Sequence, residues 1–284
     1  TSLLDITGEG SQVNLNGTKQ YVGSINATVD GALTGSGSLT IDGADQQSTI
    51  TGSNTGLSAD ITLSSGHTLS INNVASIGTS GILTVADKTK LQISGASEGT
   101  FTKQLTGGGD IFVDASTFTV SGANSGFTGT WHIAEHAQTA SVTVSGTTAQ
   151  IDASIGSGAT VALGSSGGMS LIFSETNGTL TIDDVFTGAG QLTVSGTTGA
   201  EEFGFATEWN QQPGFSGTLA LNHIGMQVGG ADGSVAANNA SNLSNADLIL
   251  NNSTVTVNGN VDTFDRVTVA AGSSGTFTLG GLGF

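Results

Sequence analysis

The chain has 284 residues, of which 45 are glycine, one is proline and none is cysteine, and its formal net charge is −17 with only 10% of residues charged. Its five Lys and Arg are too few to line a nucleic-acid surface, and the same balance disfavours sulfated glycans and anionic lipid. An apolar content of 36% separates it from a disordered acidic tail, and no apolar run reaches the roughly 18 residues of a membrane span.

The missing cysteines fit a secreted chain that crosses membranes unfolded and carries neither disulfides nor stray thiols. The sequence starts and stops mid-pattern, at "TSLLDITGEG" and "FTLGGLGF", as expected of an excised piece.

In chain order, short segments alternate Leu, Ile or Val with Thr or Ser: "SLTIDG" at 38–43, "ILTVAD" at 82–87, "SVTVSG" at 141–146, "TLTIDD" at 179–184 and "TVTVNG" at 254–259. Period two predicts strands with one apolar and one hydroxylated face. No segment sustains apolar spacing of three and four, so essentially no helix is expected. Hairpin signals are few, at Asn16-Gly17, Asn177-Gly178 and Asn258-Gly259. Many short strands without hairpins predict stacked coils.

Two motifs repeat. "LTGSGSLTI" at 33–41 returns as "LTGGGDIFV" at 105–113 and "FTGAGQLTV" at 186–194. Each is followed by a small-residue turn ending in a bulky apolar residue: "TGSNTGL" at 51–57, "NSGFTGTW" at 124–131 and "QPGFSGT" at 212–218. Modules near 33–104, 105–185 and 186–260 therefore cover most of one β-solenoid, in coils of about 20 residues, or about 14 coils in all. Asn124 and Gly126 are expected to turn a corner, Phe127 to drop into the core with Leu57 and Phe215 as its equivalents, and Trp131 and Ile133 to begin the next inward strand.

These motifs, with the "ASIG" coils "ASIGTSGILTVAD" at 75–87 and "ASIGSGATVALGS" at 153–165, resemble the passenger domains of autotransporter adhesins secreted by the type V route. The third module has "ASNLSNADLILNN" at 240–252 in their place. The resemblance is to the self-associating group of the antigen 43 and AIDA kind. It implies an all-β, right-handed parallel β-helix with three strands per coil, on the surface of a Gram-negative bacterium or secreted. It also implies attachment to an outer-membrane β-barrel absent from this chain, with no membrane insertion by this part.

Catalysis, metals and cofactors are not expected. None of His67, His132, His136 and His223 lies beside a nucleophile-elbow pattern, and the four-residue spacing of His132 and His136 suits zinc on a helix, not on a strand. Asp183-Asp184 is the tightest acid pair, but neighbours on a strand face opposite ways, so a turn is the better reading. One stretch breaks the pattern: "GAEEFGFATEWNQQPG" at 199–214 is expected to protrude as a loop, with Glu201, Glu202, Phe203, Phe205, Glu208 and Trp209 as candidate ligand contacts. Lys88, Lys90 and Lys103 form the basic cluster and are candidates for self-association. The expected function is an adhesin segment that associates with itself on neighbouring cells, giving aggregation and biofilm. The alternatives are binding of a host glycan or matrix protein through the loop, and a passive spacer.

Overall fold

The computed structural model describes residues 12–14, 19–23, 28–29, 32–95, 98–136, 138–205, 214–228, 245–258 and 264–280. Alternation is obeyed rung by rung. In Ser38–Asp42, Leu39 and Ile41 are buried while Ser38, Thr40 and Asp42 look outward. Leu39 stacks on Ile61, Ile61 on Leu83 and Leu83 on Leu105, each pair in register between parallel strands. Burying each such side chain contributes about 1.5–3 kcal/mol. Ladders of this kind make one continuous core down the axis.

The strands form three faces visited in turn. The second face is an eight-stranded sheet from Thr28–Val29 to Val185–Gly188, and the third is an eight-stranded sheet from Thr100–Phe101 to Arg266–Val269. The first face has a six-stranded sheet from Lys19–Gly23 to Gly126–Phe127 and resumes as a five-stranded sheet from Thr179–Ile182 to Gly275–Gly280. Every pairing between these strands is parallel, so the fold is a parallel β-solenoid, as the alternation and repeats predict.

One expectation needs correction. Coils are not uniformly 20 residues long: Gln92 pairs with Phe112 and Phe112 with His132, but His132 pairs with Ala162, 30 residues on. The rod therefore holds fewer coils than about 14. Helix is almost absent among the described residues, as expected; the long coil contains one short α-helix at Thr148–Ile155 (α1), which fills the first-face slot between Gly126–Phe127 and Thr179–Ile182. Thr147 and Gln150 close a capping box: the Gln150 side chain accepts from the Thr147 N–H at 2.9 Å and the Gln150 N–H donates to Thr147 Oγ1 at 3.4 Å. A 3-10 turn at Val74–Ile77 takes a third-face slot in the same way.

The module is not a whole number of turns. From "LTG" at 33–35 to "LTG" at 105–107 the chain fills ten successive slots, counting Leu57 and the 3-10 turn, and from there to "FTG" at 186–188 it fills ten more, counting α1. Ten slots on a three-slot coil are three and a third turns. Each module therefore enters one face later than the one before it.

The repeated motifs meet at one joint. Asn124 is fully buried; its side-chain oxygen accepts from the Leu105 N–H at 2.7 Å, its amide donates to the Ser154 carbonyl at 2.6 Å, and its own N–H donates to Ala153. Asn54 makes the same set to Leu33, Ser76 and Ala75. The "LTG", "NxG" and "ASIG" signatures are thus three walls of a single bracket. Gly78 and Gly156 close it with positive φ, and a Cβ there would lie 2.1 Å from the Leu57 carbonyl oxygen and 2.4 Å from that of Phe127. Phe127, Leu57 and Phe215 are buried rungs, as expected, and Trp131 and Ile133 follow Phe127 into the core. Asn124 turns the corner as expected, its carbonyl accepting from the Phe127 N–H at 2.7 Å, while its buried side chain ties neighbouring coils together.

Candidate functional site

The stretch at 199–214 does not begin as a protruding loop. Glu202–Phe205 is a rung of the first face, paired with Thr179–Ile182 and with Gly225–Val228. Phe203 is buried and so is not a surface anchor, while Glu202 is exposed. Phe205 ends the strand opposite Ile182. Glu201 is buried: its carboxylate accepts from the N–H and hydroxyl groups of both Thr197 and Thr198. Burial works against its ionisation, but these bonds outweigh it and hold its pKa at about 2. Glu201 is a turn-closing group, not a ligand contact. Glu208 and Trp209 lie outside the described residues.

The lysines separate. Lys88 and Lys90 line a polar groove of about 580 Å³ on successive corners, together with Asp45, Gln47, Thr68 and Asp87. They stand among acids and form no isolated basic patch. Lys103 is buried and points inward, which removes it from the self-association surface. Its ammonium donates to the carbonyls of Ala59 at 2.6 Å and Ser80 at 2.5 Å, stapling three coils. Burial lowers its pKa to about 8, against the pull of Asp60.

The histidines occupy unlike places. His67 is buried with Nε2 3.0 Å from Ser48 Oγ and Nδ1 3.3 Å from the Gly43 carbonyl, and burial lowers its pKa. Ser48 is 4% exposed, so this serine–histidine contact is closed to a substrate. His132 lies in the second-face strand Thr130–Ile133 and His136 just beyond it, and His223 contacts Asn252.

Asp183 and Asp184 lie at the corner between Thr179–Ile182 and Val185–Gly188, which is the turn expected for them. The corner and α1 bring Asp152 to them, with one carboxylate oxygen of each residue within 4.8 Å of the others. Asp183 accepts from the Gly158 N–H at 3.2 Å and Asp184 from the Ala159 N–H at 3.0 Å. Burial, with Asp183 and Asp152 beside it, raises the Asp184 pKa to about 9; burial and Asp183 raise that of Asp152 to about 6. Like charges this close cannot all ionise, so the corner retains protons at neutral pH.

The third face carries an uncharged surface groove. Outward positions Ser141, Gly168, Gln191 and Thr218 are in register, and beside them run Thr143, Ser170 and Thr193. They line a shallow groove of about 460 Å³ with no ionisable side chain in its walls. A Cβ at Gly168 would meet nothing nearer than 3.8 Å, so the groove is open there. Comparison with family models, curated proteins and solved structures gives no match to this chain.

Proposed function

We propose that the chain is a segment of an adhesive rod displayed on a bacterial surface, which associates with a second copy of itself and so holds cells together. The observation that carries this reading is the charge-free groove of the third face, in a chain of net charge −17. Long-range repulsion keeps two such rods apart. Contact is least costly where no charge must be desolvated, and there hydroxyl and amide ladders with a repeat of about 4.8 Å meet a ladder of the same repeat. Each hydrogen bond contributes only about 0.5–1.5 kcal/mol net, so association requires several in register. Attachment to an outer-membrane barrel, and cell aggregation and biofilm as outcomes, rest on the sequence resemblance.

The test is sedimentation velocity over a range of concentration and salt. Concentration-dependent dimers are expected, and moderate salt should strengthen them by screening the net charge. Ser170→Glu with Thr193→Glu should abolish them. A strict monomer under all conditions would sink the reading and leave host-ligand binding and the spacer. Binding of a host glycan through 199–214 has lost Phe203 and Glu201 as surface anchors.

A further inference from the structure

The sequence holds three Asn-Gly pairs, and Asn177-Gly178 is the one lying wholly among the described residues. It does not make the hairpin that such a pair signals. The strand before it, Gly167–Phe173, belongs to the third face, and the strand after it, Thr179–Ile182, to the first. Each is paired in parallel with other coils. The pair turns a corner of the rod.

The corner selects both residues. Asn177 has φ +57°, in the left-handed region that Asn tolerates better than most side chains. At Gly178 a Cβ would lie 2.9 Å from Glu175 Cβ and 3.0 Å from a Phe173 ring carbon, so no side chain fits. The same requirement brings together a reactive pair. Asn177 is exposed, and the turn is closed by a Gly178 N–H donating to the Glu175 carbonyl at 3.4 Å, longer than the usual range. Asn124 and Asn54 are the opposite case: both are buried, with side-chain oxygen and nitrogen each hydrogen-bonded.

We propose that Asn177 is a self-modification site, at which the backbone nitrogen of Gly178 converts the side-chain amide to a succinimide that water opens to aspartate and isoaspartate. The Gly178 nitrogen, unhindered by any Cβ, bonds to Asn177 Cγ and loses its proton. The bond from Cγ to the amide nitrogen breaks, and ammonia leaves. Water then adds to one of the two ring carbonyls. Opening at Cγ gives aspartate, and opening at the main-chain carbonyl gives isoaspartate, whose backbone runs through Cβ and Cγ. One water is consumed, one ammonia is released, and nothing is oxidised or reduced.

Both products act on α1. Thr148, its first residue, donates to Glu175 Oε2 at 3.4 Å and to the Thr179 carbonyl at 2.9 Å, so this corner holds the start of the helix. A new carboxylate at 177 stands beside Glu175, and the strands packed on α1, Ala140–Gly146, Gly167–Phe173 and Thr179–Ile182, carry no Lys or Arg to offset it. Isoaspartate also lengthens the backbone just before Thr179, whose pairing with Glu202 opens the resumed first face.

Peptide mapping by mass spectrometry, after incubating the folded chain in mildly alkaline buffer, tests this. The peptide holding Asn177 should gain the one mass unit that separates a carboxyl from an amide, and should accept methyl groups from isoaspartyl methyltransferase. Peptides holding Asn54 and Asn124 should stay unchanged in the same digest. Asn177→Gln should abolish the gain while its melting curve matches the parent. Hydrogen exchange should show lost protection over 148–155 in the aged chain, and Asn177→Asp should reproduce the part due to charge alone. Absence of the mass gain at Asn177 would overturn the assignment, as would an equal gain at Asn54 and Asn124, which reports unfolding. Unchanged protection over 148–155 in a fully converted chain would overturn the coupling to α1.

Discussion

Replacing Asp184 by Asn should stabilise the protein at neutral pH. Asp184 is fully buried, and burial together with Asp183 and Asp152 raises its pKa from 3.8 to about 9. The folded chain thus keeps this proton up to about pH 9, while the unfolded chain releases it near 3.8. Between those values the folded state binds more protons, so stability falls as pH rises, by up to about 1.4 kcal/mol per unit. The cost is on the order of 4 kcal/mol at pH 7 and about 1–2 kcal/mol at pH 5. Asn mimics the protonated acid and keeps the acceptor for the Ala159 N–H. Asp184→Asn should therefore gain a few kcal/mol near pH 7, gain least in mild acid, and lose most of the slope between. Asp152, whose pKa is also raised, leaves a residual slope of the same sign up to about pH 6. Glu201 sets the opposite limb: its depressed pKa stabilises the fold above 4.5, and that contribution disappears as pH falls towards 2. Because a solenoid need not unfold in one step, the assay is hydrogen exchange of 148–159 with thermal melts at several pH values, in chelator. A variant less stable than the parent at pH 7, or one with an unchanged pH slope, would refute the reasoning.

Further predictions concern the joints between coils. Asn124→Ala leaves the Leu105 N–H and the Ser154 carbonyl without their buried partner, at about 1–3 kcal/mol each; hydrogen exchange should show lost protection at Leu105, and unchanged protection would remove Asn124 from the bracket. Phe127→Ala and Phe215→Ala should each cost about 3–5 kcal/mol locally, seen as new protease cleavage near the site, and an unaltered digest of both would argue against their role as rungs. Gly156→Ala places a methyl group 2.4 Å from the Phe127 carbonyl oxygen at positive φ. It should lower the melting temperature far more than Gly158→Ala, also at positive φ but with nothing within 4 Å of the added atom.

Much of the fold could be read from the residues because a solenoid uses one rule repeatedly. Leu39, Ile61, Leu83 and Leu105 stack because period two sends each to the same side of its strand. The buried Phe and Leu after each small-residue turn were legible for the same reason. The helix was missed because only its start is written locally, in the capping box at Thr147 and Gln150; its buried residues are few, Ile151, Ser154 and Ile155. The site residues fared worse. A lone Lys in a polar run reads as solvated, and nothing adjacent in sequence reveals that Lys103 finds the carbonyls of Ala59 and Ser80. Asp152 and Asp183 are 31 residues apart, and only the long coil containing α1 brings them together.

The ten-slot module bears on the proposed self-association. A surface that belonged to the repeated motifs would recur on the third face, then the first, then the second, because each module enters one face later. Three modules would present it in three directions, and a flat partner could engage one copy at a time. The uncharged groove has another origin. Ser141, Gly168, Gln191 and Thr218 are neighbours from coil to coil, and they come from both the second and the third modules without occupying equivalent places in them. A strip built this way runs along the axis and keeps its direction, as a second rod lying alongside requires. The motif repeat and the proposed binding surface thus answer to different periods, three and a third turns for the joint that stabilises the rod and one turn for the ladder that a second rod would follow.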